Sequence, residues 1–387
     1  MIRKVMLVFG TRPEAIKMCP LIKELQKRKE FECVVCVTGQ HREMLDSVLQ
    51  TFEVTPDYDL NIMREGQSLY HVTEQILSKL RLVLRDEKPD ILLVHGDTTS
   101  SFAGALAAFY SNVTVGHVEA GLRTYDIFSP YPEEFNRQAV SIISQYNFAP
   151  TQQAKENLLR EGKKAKNIYV TGNTVVDSLS YTINYSFRDE VLSRVGEKRF
   201  ILFTAHRREN IGEKMRGMFR AISRISDEFN DIKIVYPVHL NPAVRSLCYE
   251  ELEGKQGVIL TEPMGVVNFH NFLARCYFVV TDSGGIQEEA AALKKPALVM
   301  RDTTERQEGT QAGGIKLIGT DEQVIYKTIK NLIENQALYN AMSCAPNPFG
   351  DGHACERIAD ILSDKQIIEF EEGKKDFVIK NSNHPFT

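Results

Sequence analysis

The sequence predicts an α/β protein built on parallel sheets and divided into two domains. Short apolar runs rich in β-branched residues alternate with stretches of helical periodicity along the chain, which is the pattern of βαβ units. Its 387 residues exceed one ordinary core and suit two domains of somewhat under roughly 200 residues each. The residues just after the strand-like runs are unusually polar, and in such sheets ligands bind outside the carboxyl ends of the strands.

The strand-like runs are Lys4 to Phe9, Cys33 to Val37, Ile91 to Val94, Val113 to Val118, Phe200 to Phe203, Ile232 to Tyr236, Phe278 to Thr281 and Ala297 to Met300. A helix is expected from Ser68 to Leu84, where Leu69, Val72, Ile76, Leu77, Leu80, Val83 and Leu84 recur at helical spacing behind a serine cap. Pro89 then ends the segment. The alternation pauses between about Thr171 and Lys198, where a Gly-Asn-Thr turn leads into a polar stretch. The first domain is therefore placed at 1–172 and the second at 173–362. The helical segment Asp351 to Leu362 crosses back, the chain from about 363 rejoins the first domain, and a charged tail from Glu369 is expected to be loosely ordered.

Composition narrows the function. Hydrophobic residues make up 43% and charged residues 25%, as in ordinary folded proteins. A net charge of -4 offers no global field to gather nucleic acid or acidic lipid, so any anionic ligand must be held by local groups. The apolar run at the N-terminus is too short for a secretory signal and nothing later approaches a membrane span, so the expected compartment is the cytoplasm. Seven scattered cysteines, an odd number, read as reduced thiols. Cys33 and Cys36 have C-x-x-C spacing, but on a strand residues three apart point to opposite faces. They read as core, and no second pair at zinc-site spacing accompanies them.

In the first half, the first strand runs into GTRPEAIK. Gly10 permits a tight turn, Pro13 suits a first helical turn, and Arg12 and Lys17 bring positive charge to a helix N-terminus, where a phosphate or carboxylate would be held. A plain helix cap is the structural alternative. The motif is not the GxGxxG dinucleotide fingerprint, which argues against a nicotinamide cofactor. Asp97 closes the next strand in HGDTTSS, as a functional carboxylate or a helix cap. HVEAGLRT then supplies Glu119, and SPYPEEFNR supplies Glu133, Glu134 and Arg137. Glu133 and Arg137 are four apart on one helical face, where a surface ion pair is the alternative reading.

The second half repeats the arrangement. AHRREN brings His206, Arg207 and Arg208 to a strand end, and YPVHLNP brings His239. TDSGGIQEEA reads as strand, turn and helix, with backbone N–H groups of Ser283, Gly284 and Gly285 able to approach a phosphate closely. Glu289, one turn on, is placed to accept from a ribose diol or to sit in solvent as a first-turn glutamate.

FGTRPEAIKM, TGQHREML, LVHGDTTS, GHVEAGLRT, SPYPEE with NRQ, TGNTVVDSL, AHRREN, YPVHLNP, TDSGGIQEEA and RDTTER, in this order across residues 2 to 362, resemble the non-hydrolysing bacterial UDP-N-acetylglucosamine 2-epimerases. The resemblance implies the glycosyltransferase-B fold: two Rossmann-like domains facing across a cleft, as a homodimer. It implies reversible inversion at carbon 2 of UDP-GlcNAc, giving UDP-ManNAc for cell-surface polysaccharide, with no cofactor and no metal. Carried over by motif, Asp97, Glu119, Glu133 and His206 are the expected catalytic residues. Arg12, Lys17, Arg137, Phe269, Ser283, Gly284, Gly285, Glu289 and Arg306 are the expected substrate contacts, with Phe269 near uracil and Arg306 in a loop facing the cleft. Positions matching a second, activating UDP-GlcNAc site are Gln40, Gln67, Glu133, Arg207 and His239. Glu43 and Gly66 replace a Gln and an Arg found in some members, and Ala291, Ala292, Lys294 and Gln307 also depart from the common pattern.

Two other enzymes fit part of this. A glycosyltransferase of the same fold would also present a Ser-Gly-Gly turn and basic loops, but would not turn over without an acceptor. A hydrolysing 2-epimerase would release ManNAc and UDP. A non-catalytic sensor of UDP-sugars would bind without turnover.

Overall fold

The structure, a computed structural model, describes residues 2–39, 42–64, 66–374 and 376–378. Its contacts divide the chain into two compact units, one running to Tyr181 and resuming at Phe349, the other spanning Thr182–Pro348. The boundary expected at 172/173, with the helix at 351–362 crossing back and the chain rejoining the first domain at about 363, falls later at the first crossing and earlier at the return. The difference lies in two helices. Thr174–Thr182 and Ala354–Leu362 pack with the first unit, where Asp177 accepts from the Cys355 N–H at 2.8 Å and Arg28 is paired with Asp360 at 2.5 Å.

The first unit holds a seven-stranded, wholly parallel sheet. Its strands are β1 (Arg3–Phe9), β2 (Phe31–Val37), β3 (Tyr58–Asp59), β4 (Ile91–His95), β5 (Thr114–Val118), β6 (Tyr146–Ala149) and β7 (Ile168–Val170), in the order β3-β2-β1-β4-β5-β6-β7. The direction of winding reverses between β1 and β4. Both central strands are buried almost throughout, as a sheet covered on both faces requires. The helix Leu69–Glu87 confirms the expected periodicity: Ser68 caps it by accepting from the His71 N–H, and Val72, Ile76, Leu80, Val83 and Leu84 are buried. Cys33 and Cys36 lie on β2 as free thiols, pushed up to about 12 by burial.

The second unit holds six parallel strands: β8 (Arg199–Thr204), β9 (Ile232–Pro237), β10 (Val258–Thr261), β11 (Phe278–Thr281), β12 (Ala297–Val299) and β13 (Ile315–Leu317). The order is β10-β9-β8-β11-β12-β13, with the reversal between β8 and β11. Its core gathers Ile201, Phe203, Phe219, Tyr236 and Phe278 with the apolar faces of the helices Glu213–Glu228 and Glu322–Glu334.

The start of the charged tail is tied down, contrary to the expectation from its composition. The Phe370 N–H donates to the Val170 carbonyl at 2.9 Å, the Phe370 ring is buried, and Lys155 pairs with Glu369 at 2.7 Å. One aromatic ring with something to cover outweighs the charges around it. Among the described residues no helix is long and apolar enough to cross a membrane.

Candidate active site

In open parallel sheets the loops that leave the two strands flanking a reversal diverge and open a crevice between them. In the first unit those loops follow β1 and β4. They are locked together by Glu14, only 2% exposed, which lies in GTRPEAIK but is not among the expected site residues. Its Oε2 accepts from the N–H groups of Gly10 (3.0 Å) and Thr11 (2.7 Å), completing a capping box, and its Oε1 accepts from the hydroxyls of Thr98 (2.6 Å) and Ser101 (2.8 Å). The helix Arg12–Gln26 is thereby set so that Lys17, one turn in, reaches across the head of the sheet.

There Lys17 forms a buried ion pair with Glu119. Glu119 follows β5 directly in the left-handed region, φ +65°, a conformation that costs a non-glycine residue roughly 1–2 kcal/mol. Two more groups bear on its carboxylate: the Asn173 amide donates to Oε2 at 2.8 Å, and His95 Nε2 stands 3.5 Å from the same oxygen. His117 Nε2–H donates to the Gly96 carbonyl at 2.7 Å. Burial pushes this imidazole down to about 3, so it is neutral and structural.

Asp97, in the loop after β4, is held by Arg137, and the Asn136 amide donates to its backbone carbonyl at 2.9 Å. Its side chain keeps 26% of its surface open, but the protein packed around the carboxyl raises its pKa, outweighing the pull of Arg137, and the nearby Glu119 pushes the same way. The surface pair envisaged for Arg137 gives way to buried contacts, since its other terminal nitrogen lies 3.2 Å from Glu134. Glu134 is wholly buried and accepts from the Thr124 and Tyr125 N–H groups, each at 3.0 Å, fixing the loop after Glu119. Glu133, the expected catalytic residue, begins the helix Glu133–Ile143 and is half-buried. Arg12 is half-buried beside Thr11. The structure therefore brings Lys17, Asp97, Glu119 and Arg137 together, and adds His95, Asn136 and Asn173.

In the second unit the reversal brings the loops after β8 and β11 side by side. Asp282, fully buried after β11, accepts from the N–H groups of His206 and Arg207, each at 2.8 Å, and its other oxygen lies 3.3 Å from His206 Nδ1. The imidazole of His206 stacks on that of His239, centroids 5.5 Å apart and 16° from parallel. Burial, then His206 and Arg208, lower the His239 pKa. Arg207 pairs with Glu209 at 2.7 Å.

At the glycine turn the Ser283 N–H donates to the Thr281 hydroxyl at 3.0 Å. Of the three backbone donors expected there, this one points into the protein. The helix Gly285–Ala292 follows, and a Cβ added at Gly284 would stand 2.7 Å from Arg306 Nη1. Arg306, expected in a loop facing the cleft, is buried, ion-paired with Glu305 and donating to Glu288 at 2.8 Å. Glu289 is buried with its carboxylate 3.4 Å from His270 Nε2, and His270 Nδ1 is 2.7 Å from the Thr182 hydroxyl. Phe269, half-buried, lies on the helix Val266–Arg275. Of the positions matched to an activator site, Gln67 accepts from the Arg64 N–H at 3.2 Å and His239 is exposed, whereas Gln40 lies outside the described residues. No group of three or more His, Cys, Asp or Glu among the described residues is arranged to hold a metal.

Two doubly wound units in one chain, each with its polar loops gathered where the winding reverses, define a protein of the glycosyltransferase-B-like fold class. Comparison with known proteins narrows this. The family model for UDP-N-acetylglucosamine 2-epimerase matches residues 23–363. A UDP-N-acetylglucosamine 2-epimerase of Bacillus subtilis is 56% identical over 93% of this chain and 94% of its own. A Staphylococcus aureus structure described as a co-structure with UDP is 49% identical, with a TM-score of 0.90 over 96% of this chain and 100% of that one. The Neisseria meningitidis UDP-GlcNAc 2-epimerase solved bound to UDP-GlcNAc is 46% identical, with a TM-score of 0.88 over 94% and 100%. The chain belongs to the UDP-N-acetylglucosamine 2-epimerase family.

Proposed function

We propose that this protein interconverts UDP-GlcNAc and UDP-ManNAc by inverting carbon 2, without hydrolysing the sugar nucleotide. The observation that carries this reading, on a chain of this family, is the pairing of two strand-end carboxylates with buried cations at the head of the first sheet: Glu119 with Lys17 and Asp97 with Arg137. The proton on carbon 2 is not next to a carbonyl and is barely acidic. When the bond from carbon 1 to the UDP oxygen breaks, the developing oxocarbenium ion acidifies that C–H bond. A carboxylate takes the proton, the C1–C2 double bond of 2-acetamidoglucal forms, and the electron pair of the broken bond leaves with UDP. Re-addition of UDP at carbon 1, with a proton delivered to the other face of carbon 2, gives the epimer.

Asp97, Glu119 and Glu133 share the acid and base roles. Asp97, its pKa raised by burial, holds a proton more readily than a free carboxylate does. His206, oriented by Asp282, and Arg12 serve the diphosphate and sugar. The Gly284–Gly285 turn faces phosphate, Glu289 the ribose and Phe269 the uracil. Arg306 acts from behind, since its contacts with Glu288 and Glu305 set the turn at Gly284. In this proposal the enzyme works in the cytoplasm as a homodimer without cofactor or metal and supplies ManNAc for surface polysaccharide. UDP-GlcNAc also acts as a weak activator through Gln40, Gln67, Glu133, Arg207 and His239.

The test is incubation with UDP-GlcNAc alone in deuterated water, followed by NMR. UDP-ManNAc carrying deuterium at carbon 2 is expected. Free ManNAc with UDP would mean the hydrolysing reaction, and no turnover without an acceptor would mean a transferase.

A further inference from the structure

The Gly-Asn-Thr motif at 172–174, a turn near the domain junction and part of the TGNTVVDSL motif, does more in the folded chain. Asn173 follows β7, is 2% exposed and has its polar atoms engaged. Its side-chain amide donates to Glu119 Oε2 at 2.8 Å, its Oδ1 accepts from the Val175 N–H at 3.0 Å, and its own N–H donates to the Phe349 carbonyl at 2.7 Å. Phe349 is where the chain re-enters the first unit.

Two glycines make that last contact possible. A Cβ on Gly172, φ +85°, would stand 3.2 Å from the Gly350 Cα, and one on Gly350, φ +147°, would stand 3.3 Å from the Asn173 nitrogen. The two backbones touch where side chains would hold them apart. The amide of Asn173 is thus fixed at both ends before it meets the carboxylate. A donor whose orientation is already set needs no reorganisation when charge moves on the group it serves.

We propose that Asn173 is a positioning residue for the Glu119 carboxylate, holding it in the orientation its proton chemistry requires. This rests on the reading of Glu119 as a catalytic carboxylate. Lys17 supplies charge to Glu119 along a flexible stem, whereas Asn173 is short, buried and anchored to the backbone on both sides. Among the described residues, His95 from β4, Asp97 from the loop behind it and His117 from β5 also face Glu119.

The experiment uses two variants of the full chain. Asn173→Ala removes the donor to Glu119 and the acceptor for Val175, whereas Asn173→Asp keeps the side-chain shape and that acceptor but sets a second carboxylate against Glu119, so the titration is judged on the alanine variant. With UDP-GlcNAc as substrate, each is expected to lose roughly 10- to 100-fold in kcat while KM changes by less than roughly threefold. The acidic limb of the kcat profile should move to higher pH, because a carboxylate that loses a donor holds its proton more readily. Carbon-13 titration of the Glu119 carboxyl, assigned with Glu119→Gln, should show the same upward movement without any turnover. An unchanged kcat overturns the proposal. So does a fall in kcat with the Glu119 titration unmoved, which would mark Asn173 as structural only. If the wild type fails to epimerise, the functional reading falls, and the titration still decides whether Asn173 governs Glu119.

Discussion

Asp177 gives a test of how the returning C-terminal helix is held. It lies buried in the helix Thr174–Thr182, accepting from the Cys355 N–H at 2.8 Å and the Ala354 N–H at 3.3 Å, at the start of the helix Ala354–Leu362. Burial raises its pKa from 3.8 to about 6, against these donors and with Asp351 pushing the same way. That gap corresponds to about 3 kcal/mol. Below pH 3.8 both folded and unfolded forms hold the proton and nothing is lost. As pH rises from 3.8 towards 6 the unfolded chain ionises first, so stability falls, and above 6 the loss is complete. Asn at 177 cannot ionise, and its carbonyl can still accept from Cys355, although its NH2 would face the Ala354 N–H at a cost of about 1 kcal/mol. Asp177→Asn is therefore expected to be about 0.5 kcal/mol less stable than wild type near pH 4, where the unfolded wild type is already partly ionised, and about 2 kcal/mol more stable at pH 7. Urea denaturation at several pH values, following the transition that exposes the amides of Cys355 to Leu362 to hydrogen exchange, measures it. Other titrating groups cancel in the difference between the two proteins. A difference that stays constant between pH 4 and 7 would refute the reasoning.

Amide replacement of Asp97, Glu119 or Glu133 is expected to cut kcat by roughly two to four orders of magnitude, the span of a positioned acid or base. A change confined to KM would demote that residue to binding. Gly284→Ala sets a methyl 2.7 Å from Arg306 Nη1 and 3.1 Å from Glu305 Oε1. The displacement should weaken UDP roughly tenfold, for a strain of about 1–2 kcal/mol, in a calorimetric titration; unchanged affinity would remove this turn from phosphate binding.

The central strands were legible because they are buried on both faces and read as continuous apolar runs. The strands missed, Tyr58–Asp59, Tyr146–Ala149, Ile168–Val170, Val258–Thr261 and Ile315–Leu317, have two to four residues each. Phe278–Thr281 and Ala297–Val299 are as short and were read as apolar runs, but four of the five missed strands form sheet edges, where no long apolar run marks them. Missing β7 hid Asn173, because a residue is recognised as lying at a strand end only once the strand is seen. The same rule, applied one position earlier in TDSGG, would have found Asp282.

Site residues were legible as types and positions, but their partners were not. Lys17 and Glu119 are 102 positions apart and Asp97 and Arg137 are 40 apart, so only the assembled sheet joins them. Spacing alone favoured Glu133 with Arg137, whereas the inward face of that helix carries Glu134 and Arg137, three apart. Burying such charges is costly, and a buried ion pair is often no more stabilising than apolar side chains of the same volume. Stability therefore gives no reason to set two cation–carboxylate pairs beside a left-handed Glu119 at the head of one sheet. The proposed reaction, which moves a proton at carbon 2 while a diphosphate leaves, would give one, since fixed charges in a site shielded from water act most strongly on the charge that develops there.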